Sequence, residues 1–227
     1  MRISLLIILL ALTFSISAQT SNIKTFSKEA YESAVTTVEM RQAAIREGLL
    51  WQNLYKVVLE HLELALSESG KTSLANREKA WQDYLISENS FLDQMYFREL
   101  QGTMWYPVSD GARARLYEER VNRLLNEYDL LARSQMSYSD FPPELILGAW
   151  KSNVLELHFF DDFTVIEGSE NKSLLLYTIL MKEGKLTLTL FNAQDLTVVN
   201  EYEVISQTGQ QMNLQEGANE LVFKRNN

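Results

Sequence analysis

The side chains that most often carry out chemistry are scarce in this chain. Its 227 residues include no cysteine and only two histidines, His61 and His158. Disulfides, thiolate metal sites, iron–sulfur clusters and cysteine nucleophiles are therefore excluded. His61 has no partner at a ligand-like i, i+4 spacing, so we expect a solvated helix histidine. His158 lies on the strand face opposite its apolar neighbours, so we expect it at the surface.

Two adjacent carboxylates, Asp161 and Asp162, are the remaining acid–base candidates. A pair of carboxylates can hydrolyse a glycosidic bond when both face that bond. Adjacent residues at the end of a strand point apart, however, and this pair is typical of a solvated hairpin turn. The sequence also lacks a glycine-rich phosphate loop, a serine elbow and metal-ligand spacing. It therefore predicts a protein that is not an enzyme and needs no cofactor or metal.

A short aromatic segment favours binding instead of catalysis. Met104, Trp105 and Tyr106 lie between Thr103 and Pro107, in the predicted break between two helices. Rigid aromatic side chains on loops are frequent anchors in protein interfaces. We therefore predict that this segment is a partner-binding loop. The alternative is that Trp105 folds back onto the helices or packs against the β half.

The elements that must position these residues begin with a helical half, residues 19–135. From about residue 26 the apolar residues recur every three or four positions, which predicts three antiparallel helices around a common core. Trp51, Tyr55, Trp81 and Tyr84 lie on the apolar stripes and are expected in that core. The predicted bounds are near Ser27 to Gly70, near Ser73 to Gly102, and beyond Asp110. Gly48 leaves open a break that would make four helices.

The second half has the periodicity of β-strands. Prolines 142 and 143 end the helical pattern, so we predict a linker at residues 136–144. From residue 145 to 227 apolar and polar residues alternate in six or seven short runs separated by turn residues. This pattern indicates a small antiparallel sheet or half-closed barrel. The fold class predicted for the whole chain is thus α+β.

The N-terminus predicts export. Arg2 precedes an apolar run from Ile3 to Ile16 and small residues before Gln19, which is the pattern of a signal peptide at residues 1–18. We expect a soluble mature chain in a periplasm or outside the cell, without insertion into the membrane. The formal charge of −9 disfavours binding to nucleic acid or anionic lipid. Loss of Arg2 would make the mature charge −10, which favours a basic partner.

A set of residues in the helical half keeps a characteristic order: Trp51, Tyr55, Trp81, Tyr84, Gly102 and Arg120. Over about residues 30–132 this order resembles the LprI-type lysozyme-inhibitor domain family. The resemblance implies an exported helical domain, and one branch of that family blocks lysozyme. Family members usually carry cysteines that tie the helices together, so packing must replace those links here. We expect Arg120 to pair with Glu78 or Glu88 inside the bundle.

The β half carries a second set of motif residues. Gly148 and Trp150 open it, and Arg225 lies near its end. Together with the intervening strand pattern these residues resemble small bacterial lipocalin-like domains. The resemblance implies that the Trp150 indole lies across the base of the barrel against Arg225.

Three functions follow from these patterns. The leading hypothesis is an exported, non-catalytic binding protein that inhibits a basic lysozyme-type glycosidase and so protects the cell wall. One alternative is a carrier that holds a small apolar ligand in the β half, in a void lined by Leu176, Leu188 and Val204. The other is a structural or assembly module of the cell envelope.

Overall fold

The computed structural model describes residues 21–135, 146–168 and 172–226. Within these ranges four α-helices precede the β-strands, so the chain is α+β, as predicted. The predicted signal peptide and the predicted linker lie outside the described residues. The helices are α1 (Ser21–Ser33), α2 (Thr37–Ala65), α3 (Glu68–Asp93) and α4 (Trp105–Gln135), and α3 continues into a π-helical segment, Gln94–Glu99.

The break that makes four helices lies before α2 and not at Gly48. Thr36 caps α2 because its side chain accepts a hydrogen bond from the backbone of Glu39, whose carboxylate in turn accepts from the backbone of Thr36. The next helix also begins earlier than predicted, with Ser67 as its N-cap, so that Gly70 lies in its first turn. These capping residues are present in the sequence and outweigh the glycines as boundary signals.

Helices α2, α3 and α4 form an up-down-up bundle. Arg41 near the start of α2 pairs with Asp110 near the start of α4 at 2.9 Å, so these two helices are parallel. Helix α3 is antiparallel to both, because Asp93 at its end pairs with Arg113 near the start of α4 at 2.5 Å. The buried apolar side chains of the bundle include Trp51, Leu54, Val57, Val58, Leu62, Val121, Leu124 and Leu125.

The β half is a closed barrel, which corrects the prediction of a small sheet or half-closed barrel. Every strand pairs antiparallel with the next, and β8 returns to β1. The prediction missed the closing contact because the pairing of the first and last strands leaves no mark on local periodicity. Within the described residues the strands are β1 (Gly148–Lys151), β2 (Glu156–Phe159), β3 (Thr164–Glu167), β4 (Ser173–Lys182), β5 (Lys185–Asn192), β6 (Val198–Gln207), β7 (Gln211–Glu216) and β8 (Asn219–Arg225).

Trp150 and Arg225 stand opposite each other where the barrel closes. The Arg225 guanidinium lies 5.1 Å from the centre of the Trp150 ring, which confirms the predicted contact. The Trp150 indole donates a hydrogen bond to the carbonyl of Ile146 at 2.6 Å. Gly148 has a φ of +104°, and a Cβ there would lie 3.3 Å from Arg225. A glycine is therefore required beside the closing arginine.

Large side chains fill the barrel interior. The strand register places one set of alternating residues on the inner face. The interior of an eight-stranded barrel is just wide enough for side chains to fill, and the buried members of this set fill it. They are Trp150, Leu157, Phe159, Val165, Leu175, Tyr177, Leu188, Leu190, Tyr202, Met212, Leu214 and Phe223.

The helices and the barrel share one continuous hydrophobic core. On α2, the Asn53 amide donates to the carbonyls of Ala193 and Gln194 at 3.0 and 2.7 Å. Phe163, in the turn between β2 and β3, packs against the rings of His61 and Tyr128 from two helices. The bundle is thus docked on the outside of the barrel.

Candidate functional site

The predicted binding loop is shorter than expected, and its central residues are helical. Helix α4 already begins at Trp105, so Trp105, Tyr106 and Pro107 form its first turn, where a proline fits without loss of a hydrogen bond. The turn that precedes them contains Gln101 and Gly102, whose φ angles are +45° and +105°. This left-handed pair reverses the chain between α3 and α4.

The aromatic rings of the loop fold back onto the end of α3, which is the alternative that the sequence left open for Trp105. Its ring centre lies 6.2 Å from that of Tyr96, and the ring of Tyr106 lies 5.0 Å from that of Phe97. Both partners belong to the π-helical segment, an irregularity that is frequent at functional sites. Met104 remains outside this packing and is 65% exposed.

Helix α3 exposes an apolar face that helical periodicity assigns to the core. Tyr84 is 48% exposed and Phe91 is 58% exposed. The spacing of Tyr84, Phe91 and Met95 places them on one side of the helix, away from the buried face that contains Leu85. Core placement is therefore wrong for Tyr84, while Trp81 is half-buried. We define the apolar strip as the exposed residues Tyr84, Phe91, Met95, Leu100 and Met104.

The segment that contains the apolar strip is acidic. Residues 81–119 contain seven carboxylates and three arginines, for a net charge of −4. Arg113 is held by Asp93 and Asp110 at 2.5 and 3.1 Å, so its charge is neutralised within the chain. Desolvation, followed by the negative charges of Glu88 and Glu119, raises the pKa of Tyr84. The strip is therefore an apolar surface in a negative field.

The predicted pairing of Arg120 is confirmed with Glu78. Arg120 of α4 is buried, donates to Glu78 of α3, and lies 5.4 Å from the centre of the Trp81 ring. The other oxygen of Glu78 accepts a hydrogen bond from the Tyr55 hydroxyl of α2 at 2.7 Å. Burial, and then this bond to Glu78, raises the pKa of Tyr55. Tyr55, Glu78 and Arg120 thus link α2, α3 and α4. This link lies before the apolar strip along α3.

Two expectations about titratable residues are wrong and one is confirmed. His61 is buried and not solvated, because its ring lies between the helices and Phe163; its Nδ1 is 2.9 Å from the carbonyl oxygen of Val57. Burial lowers the pKa of His61. Asp162 is only 1% exposed and not part of a solvated turn; its carboxylate accepts hydrogen bonds from the backbone and the hydroxyl of Thr164. His158 is exposed, as predicted, and stacks on Phe160.

The residues proposed to line a ligand void do not share one face of the sheet. Leu188 pairs with Ile179 on the inner face, whereas Leu176 is three positions from Ile179 and points outward. Leu176 is buried beneath the helices and not inside the barrel. Among the described residues, no group of three or more histidine, aspartate or glutamate side chains is placed to hold a metal ion.

Comparisons with protein-family models, with curated proteins and with solved structures find no match to this chain. The function therefore has to be inferred from the geometry above. Within the described ranges, no helix has the length and apolar character needed to cross a membrane.

Proposed function

We propose that this chain is an exported, non-catalytic binding protein that binds a basic partner protein on the apolar strip. The exposure of Phe91 and Met104 at the free end of the bundle carries this proposal. A contiguous apolar surface with a polar rim is typical of protein interaction sites. The strip spans about four turns of helix, roughly the reach of a specific interface.

The partner we propose is a basic lysozyme-type glycosidase. The net charge of −4 over residues 81–119, in a chain whose net charge is −9, would steer a basic protein toward the strip, and this effect would weaken at high salt. The order of Trp81, Gly102 and Arg120, which resembles that of the LprI-type inhibitors, supports the same partner. The ion pair between Glu78 and Arg120 links α3 to α4. It can therefore replace the cysteine links of that family in holding together the two helices that carry the apolar strip.

The direct test measures, by the fall in turbidity, how fast several lysozymes lyse cell walls. The mature chain from Gln19 is added at increasing molar ratio, at low and at high salt. We expect saturable inhibition that weakens at high salt. Normal turnover with an excess of the chain at low salt would reject the lysozyme proposal.

Matched variants show whether the strip is the binding surface. Phe91→Ser and Met104→Ser should each weaken inhibition about tenfold or more, as expected for interface anchors. Ile86→Ser is the control, because Ile86 lies on the opposite side of the same helix and is also exposed. Equal losses in Phe91→Ser and Ile86→Ser would place the site elsewhere. Strip-dependent binding of a basic protein without inhibition would support the binding surface and exclude the lysozyme role.

A further inference from the structure

The turn between β2 and β3, residues 160–163, is held in a strained conformation by the helices. Phe163 has a φ of +61°, in the left-handed region that bulky residues avoid. Its buried ring lies 4.2 Å from the centre of the His61 ring and 5.1 Å from that of Tyr128. Such strain persists only where surrounding contacts fix it. The shape of this turn therefore depends on the docking of α2 and α4.

A chain of hydrogen bonds joins the same turn to α1. The Asp162 carboxylate accepts from the backbone N–H of Thr164 at 3.0 Å and also from the Thr164 hydroxyl. Because that hydroxyl donates its one proton to Asp162, its lone pairs accept from the Asn22 amide at 2.9 Å. All three residues are buried. Asp162 thereby orients the hydrogen bond between Asn22 and Thr164.

The surroundings of Asp162 disfavour its charged form. Burial raises its pKa from 3.8 to about 6, although the two hydrogen bonds from Thr164 act in the opposite direction. The neighbouring Asp161 adds negative charge. Across the interface, burial raises the pKa of Tyr177 on β4 and of Tyr128 on α4 and lowers the pKa of His61 on α2, so it favours the neutral form of each of these groups. Among the described residues no cation forms an ion pair with Asp162.

We propose that the β2–β3 turn is a proton-controlled latch, in which protonated Asp162 holds the helices tightly on the barrel and ionised Asp162 loosens them. The site is separate from the apolar strip, so this inference does not depend on the proposed function. Two features of the geometry support this proposal. The helices hold the strained turn, and both hydrogen bonds from Thr164 end on Oδ1 of Asp162, so a proton on Oδ2 removes the buried charge and leaves the link to Asn22 on α1 intact.

The direction of the pH effect follows from the two pKa values of Asp162. Because the pKa is higher in the folded chain than in the unfolded chain, protonation favours folding. The stabilisation is complete below about pH 4, declines as the pH rises, and is lost above about pH 6. His61 acts in the opposite direction, since its lowered pKa makes acid destabilise the fold. A variant that changes only Asp162 separates its effect on the pH dependence of stability from that of His61.

The test compares the mature chain with Asp162→Asn and with Asp161→Asn, its exposed neighbour in the same turn. Asparagine mimics the protonated carboxyl, so Asp162→Asn should lower the unfolding equilibrium constant at pH 7.5 by up to about 100-fold. The difference should fall to about 15-fold at pH 5.0 and nearly vanish below about pH 4, where the folded and unfolded chains are both protonated. Asp161→Asn should keep most of the wild-type pH dependence, because burial raises the pKa of Asp162 more than the Asp161 charge does. Urea unfolding, followed by circular dichroism at 222 nm and by tryptophan fluorescence, measures these constants. The wild-type pH dependence in Asp162→Asn would overturn the proposal.

Hydrogen exchange separates a latch from a general change in stability. After correction for the intrinsic rates, amides of α1 should exchange faster at pH 7.5 than at pH 5.0 in the wild-type chain. In Asp162→Asn they should stay protected at both values. Asn22→Ala, which removes the link to Thr164, should give fast exchange in α1 at both values. Exchange in α1 that does not depend on pH in the wild-type chain would contradict the latch.

Discussion

The barrel and helix α3 differ in how completely they bury their apolar residues. The inner face of the barrel is a set of large, buried side chains, and the sheet closes on itself without an edge. Of the 26 residues of α3, only Leu74, Leu85 and Leu92 are buried. A closed barrel encloses its inner apolar face and leaves no open edge, although Val199 and Val222 of its strands are exposed. Helix α3 instead leaves part of its apolar surface exposed.

The difference originates in the spacing of the apolar residues. In the strands most of the large buried residues occupy every second position, so the inner face collects them, whereas Leu174 and Leu176 of β4 lie on the other face. In α3 two separate sets occur: Leu85 and Leu92 face the bundle, while Tyr84 and Phe91 precede each of them by one position. One residue turns an α-helix by about 100°, so the second set points to the side.

Removal of the closing tryptophan should give the largest loss of stability. Trp150 is fully buried at the β1–β8 contact, beneath Arg225. Trp150→Ala should lower the free energy of unfolding by about 4 kcal/mol, through lost burial and a large cavity. Urea unfolding measures this change. Because the halves share one core, the helical signal should shift with the barrel signal. An unchanged helical transition would show that the halves unfold independently.

The link between α3 and α4 should have the next largest effect. Arg120→Ala removes the buried cation from the mostly buried Glu78 carboxylate and leaves only Arg77, at 3.9 Å, which should cost about 3 kcal/mol. The double variant Glu78→Gln/Arg120→Met should lose less, because the introduced amide is neutral and its oxygen can still accept from Tyr55. The same urea experiment compares them. A double variant as unstable as Arg120→Ala would show that packing of the guanidinium on Trp81 matters more than its charge.

The sequence predicts those features that depend on local pattern. Helical and strand periodicity are such features, and the predicted order of helices followed by strands is present. The Trp150–Arg225 contact is instead implied by the resemblance to lipocalin-like domains, and the Arg120–Glu78 pair by an arginine placed among carboxylates in a bundle; both are present. Closure of the barrel and burial of Asp162 depend on residues far apart in the chain, so no local pattern contains them. The assignment of Tyr84 to the core fails because helical periodicity shows which residues share a face and not which face meets a neighbour.

Two buried leucines test the contrast between the regions directly. Leu188 is enclosed on all sides in the barrel, whereas Leu92 is buried on a helix with one packed face. We expect Leu92→Ala to lower the free energy of unfolding by about 2 kcal/mol and Leu188→Ala by more, about 3 kcal/mol, within the range for such truncations. The cost depends on how far the surroundings can collapse into the cavity. Equal losses would show that α3 is packed as tightly as the barrel.

The smallest effect on stability is expected in the apolar strip, and it decides what the strip is for. A side chain that stabilises the fold costs stability when it is replaced, whereas an exposed one usually changes it by no more than about 0.5 kcal/mol. Phe91→Ser should therefore leave the urea midpoint close to that of Ile86→Ser, since both residues are exposed on α3. A loss above about 1.5 kcal/mol in Phe91→Ser alone would make Phe91 part of the core. Unchanged stability with weakened inhibition leaves binding as the role of the strip, because nothing in the folded chain then depends on it.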